Sequence, residues 1–284
     1  MNVIGLIREL TPPFIWAIAK RVFKRIPKEN ESSQRQILKG RFFCPVCGNN
    51  VVRFEPLPLY YEQMQEKYPS EQPQFLGEMM NTHAYLCPHC HASDRDRLYA
   101  MYMSKKFEGI NKSNNLSEIA FLDFAPSSGL QQFVKKYDFI KYRSADLYME
   151  GVDDKVDIVD MNIYKDNQFD VLLCSHVLEH IKNDKKAMSE LYRVLKIGGW
   201  GIVVVPINLG LENDFEDEKY TSEEDRWKYF GQNDHVRAYS KKGFVSKLES
   251  VGFKVQQYGM DYFGMAEFER CGIHPRSVLY VVSK

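Results

Sequence analysis

The sequence predicts an α/β protein: a doubly wound, mostly parallel seven-stranded sheet with a small cysteine-bearing module ahead of it. Three observations predict this. From residue 119 onward, short apolar runs alternate with segments of helical spacing, the pattern of strands joined by crossover helices. The first run, Ile119-Ala-Phe-Leu-Asp-Phe124, passes through the small residues Ala125, Ser127, Ser128 and Gly129 into a helical stretch. A strand, a tight turn of small residues and a helix start make a nucleotide-binding corner, where unpaired N–H groups face a ligand. Finally, four of the six cysteines fall in two Cys-x-x-Cys pairs upstream of that sheet.

Candidate strands are 119–124, 141–145, 156–159, 170–174 and 200–205, with helices over 129–136, 184–195 and 241–251. The runs 253–258 and 278–283 are expected to add an antiparallel edge. Upstream, Ser93 is placed to cap a helix over 93–103 whose Leu98, Met101 and tyrosines face inward.

Composition bounds the function. The 284 residues suffice for one sizeable core and an appendage, and 44% hydrophobic with 27% charged residues is ordinary for a globular protein. Lys plus Arg equals Asp plus Glu at 38 each, so no global charge points to nucleic acid. Local charge is uneven: residues 1–41 hold nine basic and three acidic residues, and residues 211–225 hold eight acidic residues and one lysine. The acidic stretch reads as a solvated, mobile loop or as an active-site lid. No apolar run is long enough to span a bilayer, and no signal-peptide pattern opens the chain. Paired cysteines without a disulfide framework point to a reducing cytoplasm.

Residues 12–26 read as a basic amphipathic helix within a segment 1–27, with Ile15, Ile18, Val22, Phe23 and Ile26 on one face. Peripheral contact with the inner face of a membrane and docking on protein are both open readings. A polar linker over 28–41 follows, then a module over 42–110, with a boundary near the polar connector 111–117 and a sheet domain over 118–284. Phe43-Cys-Pro-Val-Cys-Gly48 and Leu86-Cys-Pro-His-Cys-His91 have the form of zinc knuckles. Cys44, Cys47, Cys87 and Cys90 would close a tetrahedral structural zinc site with no open position. His83, His89 and His91 are weaker substitutes. The 39 residues between the pairs exceed common ribbon spacing and imply an insertion.

Ligands of such sheets sit at the carboxyl ends of the strands. Asp123 ends the first strand and Asp146 the second, where an acid can accept both hydroxyls of a ribose. Asp160 follows the third and can accept from an adenine amine while the Met161 N–H donates to the ring. The fourth strand ends at Ser175 and His176, opening Ser175-His-Val-Leu-Glu-His180.

That succession resembles the class I S-adenosylmethionine-dependent methyltransferases, through the His-Val-Leu-Glu-His segment and Glu190-Leu-Tyr-Arg-Val-Leu-Lys-Ile-Gly-Gly199, which leads to Gly201-Ile-Val-Val-Val-Pro206. The paired cysteines and Phe230-Gly-Gln-Asn-Asp-His-Val-Arg-Ala-Tyr239 look like a narrower group of bacterial zinc-ribbon methyltransferases that resemble enzymes of surface-glycan or small-molecule pathways. The resemblance implies a Rossmann-like methyltransferase fold and S-adenosylmethionine as cofactor. It implies that Asp123 and the turn with Ala125, Ser127 and Gly129 hold the methionine part, that Asp146 binds ribose, and that Asp160 and Met161 bind adenine. Ser175 and His176 would border the methyl group. The chain departs from the usual glycine-rich turn at Ala125 and Ser127.

Removing a proton from a hydroxyl acceptor needs a base, and His176, His180 and His235 are the candidates. Asp234, His235, Arg237 and Tyr239 offer a base, an orienting carboxylate and an anion-binding guanidinium, or else a clamp on the sheet. The expected reaction is methylation of a hydroxyl on a sugar, glycan precursor or other small acceptor. The alternatives are an RNA base methyltransferase that grips RNA through the zinc module, and a non-catalytic zinc scaffold.

Overall fold

The computed structural model describes residues 41–72, 76–111 and 118–284. The helix expected over 12–26 and all but the end of the linker over 28–41 lie outside the described residues. Residues from Gly40 onward form one compact unit.

The unit begins with a knuckle hairpin, β1 (Phe42–Cys44) paired antiparallel with β2 (Asn49–Val51). Helix α1 (Leu59–Lys67) lies in the stretch between the cysteine pairs, and α2 (Asp94–Asn111) follows the second pair. A reciprocal cap starts α2: Ser93 Oγ accepts the Asp96 N–H at 3.2 Å, and Asp96 Oδ2 accepts the Ser93 N–H at 2.9 Å.

Then come β3 (Ile119–Phe124), α3 (Ser128–Val134), β4 (Ile140–Asp146), β5 (Asp154–Lys155), β6 (Phe169–Ser175), α4 (Asp184–Val194) and β7 (Leu195–Val204). Helices α5 (Glu223–Phe230) and α6 (Lys241–Ser250), strand β8 (Lys254–Tyr258), helices α7 (Met260–Phe263) and α8 (Met265–Arg270), and β9 (Leu279–Ser283) complete it. The seven-stranded sheet has the order β5-β4-β3-β6-β7-β9-β8. Its first five strands are parallel, and β9 runs antiparallel between β7 and β8.

The apolar runs are continuous because both faces of the sheet are covered. Phe121, Val171, Leu173, Ile202 and Val281 join a core with the knuckle, α2 and α3. Leu122, Leu172, Cys174, Val203 and Val282 alternate into a second core under α4 and α6. Cys44, Val46, Cys87 and Ala92 of the cysteine module belong to the first core, so the module and the sheet are sealed by one apolar layer across the polar connector. Arg97 of α2 secures that layer. It is fully buried, stacks over Phe54 at 3.7 Å, and donates to the carbonyls of Ala84, Tyr85, Ala92, Cys271 and Gly272.

Several local expectations differ from what forms. The third strand is Asp154–Lys155 and not 156–159. The Val156 N–H still donates to Asp146 O at 3.2 Å, but Asp157 Oδ1 then captures the Val159 N–H at 3.0 Å, a local turn that takes the chain out of the ladder while Val156 and Ile158 point inward. The acidic segment expected to be loose is anchored: Phe215 and Ala238 exchange backbone hydrogen bonds of 2.9 Å, and Asp214 accepts from the Ser240 N–H at 2.9 Å. No described helix is long and apolar enough to cross a membrane.

Candidate active site at the strand tips

Strands β4 and β5 lie on one side of β3, and β6 and β7 on the other, so the sheet switches direction between β3 and β6. A ligand crevice opens at such a switch point. Both strands leave it through a left-handed residue, Ala125 with φ 51° and His176 with φ 56°. An L-residue there costs about 1 kcal/mol or more, so these turns are held by their surroundings. The Ala125 N–H donates to Ala145 O at 3.0 Å and the His176 N–H to Val204 O at 2.9 Å, tying each turn to the neighbouring strand.

The predicted residues occupy distinct positions around these strand tips. Asp123 is 1% exposed and accepts from the Tyr142 hydroxyl at 2.7 Å. Burial pushes its pKa up to about 8, against the pull of that hydrogen bond. Ser127 caps α3, its hydroxyl accepting from the Leu130 N–H at 3.4 Å. Gly129 makes room for the second knuckle: a Cβ there would stand 3.0 Å from the Cys90 carbonyl oxygen. Asp146 Oδ1 accepts the N–H groups of Tyr148 and Met149, both at 2.6 Å, and Oδ2 has no such partner among the described residues.

Asp160 is exposed at the surface beyond β5. Met161 requires a correction. Its side chain is fully buried, and its N–H donates to Glu190 Oε2 at 3.0 Å instead of standing free for a ring nitrogen. Glu190 is fixed for that contact by Arg193, at 2.7 Å. Ser175 ends β6, and its hydroxyl is 2.8 Å from the Tyr99 hydroxyl of α2, so the helix after the knuckles reaches the strand tips.

Beside Ser175 stands a cluster of imidazoles around one carboxylate, Glu179, which the residue pattern did not single out. Glu179 has 0% exposure, and its Oε1 lies 3.2 Å from His176 Nδ1, 3.9 Å from His180 Nε2 and 4.0 Å from His235 Nε2. Burial alone would raise its pKa, but the three histidines hold it down at about 2. Burial and the neighbouring Arg95 lower His176 to about 4. Burial also lowers His235, whereas Asp234 and Glu179 raise His180 against burial. His176 Nε2 is buried with no hydrogen-bond partner among the described residues.

Arg237 and Tyr239 serve as the clamp. Arg237 is 3% exposed and is spent on the carbonyls of Ile181 (2.6 Å) and Lys182 (2.8 Å) and on Glu216 (2.8 Å), so it is not free for a substrate anion. The Tyr239 hydroxyl donates to Asp184 Oδ2 at 2.6 Å. Together they bind the 230s segment onto the turn after β6.

The four paired cysteines converge, with Sγ atoms of Cys44 and Cys90 3.7 Å apart and of Cys47 and Cys87 3.9 Å apart. Four thiolates around one ion with bonds of about 2.3 Å sit about 3.8 Å apart, so the set fits a tetrahedral ion. The two knuckles match in detail. Gly48 (φ 74°) and His91 (φ 57°) take the same left-handed place, each donating its N–H to the first cysteine carbonyl of its pair. His91 is thus a turn residue here.

Residues 127–203, from the crevice turn through β7, match the family model described as "Methyltransferase domain". The chain carries a methyltransferase domain. Methyl transfer is the enzyme class to which this domain assigns it. The methyltransferase domain is also similar in solved structures to a SAM-dependent methyltransferase from Archaeoglobus fulgidus, with 13% identity, a TM-score of 0.42, and coverage of 79% of this chain and all of that one. The Haemonchus contortus phosphoethanolamine N-methyltransferase 2, in complex with S-adenosyl-L-methionine, gives 17% identity and a TM-score of 0.38, covering 55% of this chain and 38% of that one. Among curated proteins, an uncharacterized protein of Methanocaldococcus jannaschii is 55% identical over 42 residues, 15% of this chain and only 18% of that relative's length. None of these likenesses bears on the acceptor.

Proposed function

We propose that the methyltransferase domain methylates a hydroxyl of a small acceptor, such as a sugar or glycan precursor. The observation that carries this reading is the His176–Glu179 pair beside Ser175. The Glu179 carboxylate lies 3.2 Å from Nδ1 and leaves the opposite nitrogen, Nε2, without a protein partner at the end of β6. An imidazole oriented through Nδ1 by a carboxylate offers its Nε2 lone pair to a proton. His176 is thus the stronger base candidate. His235 is nine-tenths buried, with Nε2 turned toward Glu179.

The donor set around the crevice suits an adenosyl sulfonium. Asp146 retains an oxygen for ribose hydroxyls, and Ala125, Ser127 and Asp123 line the turn for the methionine part. Asp160 would meet the base edge without the Met161 N–H. Bound there, S-adenosylmethionine supplies an electrophilic methyl group. The chain aligns the acceptor, takes its proton at His176 Nε2 and keeps the imidazolium beside Glu179. The cysteine set is read as a structural zinc site, closed to substrate and packed under α2, so it stiffens the helix that reaches Ser175. The acidic 211–225 stretch disfavours a phosphate backbone on that face, which ranks RNA below small acceptors.

Transfer of a tritiated methyl group into sugar and lipid extracts, compared with RNA, tests the acceptor class. His176→Asn should lower turnover by about 10²-fold or more with cofactor affinity kept. Label appearing in RNA alone would refute the acceptor reading, and near-normal turnover of His176→Asn would remove the base.

A further inference from the structure

The Glu179 pocket has more ligating atoms than a single base requires. Its carboxylate is completely buried, and its one close polar neighbour among the described residues is His176 Nδ1, 3.2 Å from Oε1. A buried carboxylate with a single imidazole contact is poorly compensated, so a further positive partner is expected. Two of the surrounding imidazoles are oriented as ligands. His180 Nδ1 lies 3.3 Å from Asp234 Oδ2, and His235 Nδ1 lies 3.1 Å from the Phe230 carbonyl oxygen. A neutral imidazole has one N–H, and both of these are claimed at Nδ1 by an acceptor. Both Nε2 lone pairs then face Glu179 Oε1, at 3.9 Å and 4.0 Å.

Carboxylate and carbonyl acceptors behind Nδ1 are the contacts that orient metal-bound histidines. One ligand atom each from Glu179, His180 and His235 lie within 4.8 Å of one another. Bonds of about 2.1 Å would set tetrahedral ligands about 3.4 Å apart, so modest side-chain rotations close the set.

We propose that Glu179, His180 and His235 bind one divalent transition-metal ion, of the manganese, cobalt or zinc kind, with positions left open for water or acceptor oxygens. Two nitrogens and one carboxylate suit such ions better than magnesium or calcium, which prefer all-oxygen shells. Three protein ligands also leave the site unsaturated, unlike the four cysteines. His176 Nδ1 lies 3.2 Å from the same carboxylate oxygen, so an ion there would lie near the proposed base. Metal binding itself does not depend on the methyl-transfer reading.

The test is titration of the full chain with Mn²⁺, followed by the paramagnetic resonance signal of the free ion. Manganese is a poor match for four thiolates, which separates this site from the cysteines. One equivalent should bind, with affinity falling at least about tenfold in Glu179→Gln and by a similar factor in Asp234→Ala, which removes the half-exposed acceptor that orients His180. Circular dichroism of both variants checks the fold. Less than half an equivalent bound at about 1 mM free Mn²⁺, or equal affinity in folded Glu179→Gln, would overturn the proposal. So would ¹⁵N spectra of the metal-free chain showing His180 or His235 as imidazolium above neutral pH, because a proton would then fill the gap.

Discussion

Replacing Asp123 with Asn asks whether the first strand tip holds a protonated carboxyl until a cation arrives. The side chain is 1% exposed, and burial pushes its pKa up to about 8, against about 3.9 in an unfolded chain. An acid raised in this direction keeps its proton in the folded state. Its contribution is therefore fully present below about pH 4 and is lost as pH rises through about 8, at roughly 1.4 kcal/mol per unit. Four units give a ceiling of about 5.6 kcal/mol, and relaxation of the site brings the expectation to about 2–4 kcal/mol. Asn retains the acceptor for the Tyr142 hydroxyl but cannot ionise. Urea midpoints for both proteins should agree within about 1 kcal/mol near pH 4.5, with Asp123→Asn the more stable by the expected margin near pH 8. Parallel stability curves across that window would show the carboxylate already ionised and refute the reasoning. A cation bound beside it should expel the proton. Calorimetry of S-adenosylmethionine binding near pH 7, in two buffers of different ionisation heat, should then register about one proton released.

Other outcomes follow from the same contacts. Arg97→Met removes a donor from five carbonyls, of which those of Ala92 and Gly272 keep a second one, and should cost at least about 3 kcal/mol in urea unfolding, with Arg97→Lys recovering part of it; a loss under about 1 kcal/mol would show that apolar packing on Phe54 suffices without the guanidinium. Ala125→Gly relieves a left-handed alanine and should leave stability unchanged or raise it by up to about 1 kcal/mol; a drop beyond about 1 kcal/mol, read by thermal melting, would mean the methyl group packs usefully. Native protein should carry at least about one equivalent of zinc by elemental analysis, reduced by about one equivalent in Cys87→Ser together with the melting temperature; a zinc content under about half an equivalent would remove the metal from the knuckles.

The sheet was legible because burial on both faces writes strands as unbroken apolar runs, as in Val171–Cys174 and Gly201–Val205. The cysteine set was legible because each pair is local. What failed to show was non-local. Asp157 stops the third strand through a side-chain contact that no apolar pattern encodes. The Met161 N–H looked available until Glu190, from the other side of β6, took it. Arg237 resembled an anion site, yet its carbonyl partners come from the turn after β6. Glu179 is one letter within His-Val-Leu-Glu-His. Its three-histidine surroundings exist only once the 230s segment folds back, and a buried acid three residues from His176 was the signal that could have flagged it.

The carbonyls that Arg97 gathers come from both ends of the described chain: Cys271 is 174 positions away and Ala84 only 13. A ribosome adding about 5–20 residues per second needs roughly 10–35 seconds to cover that interval. Throughout it the guanidinium lacks two of its acceptors, and the apolar underside of the knuckles waits for strands not yet made. Newborn chains therefore pass through a period in which the thiols are folded locally but unsealed. That interval is the natural moment for metal loading, and also the moment of greatest exposure to oxidants and to aggregation.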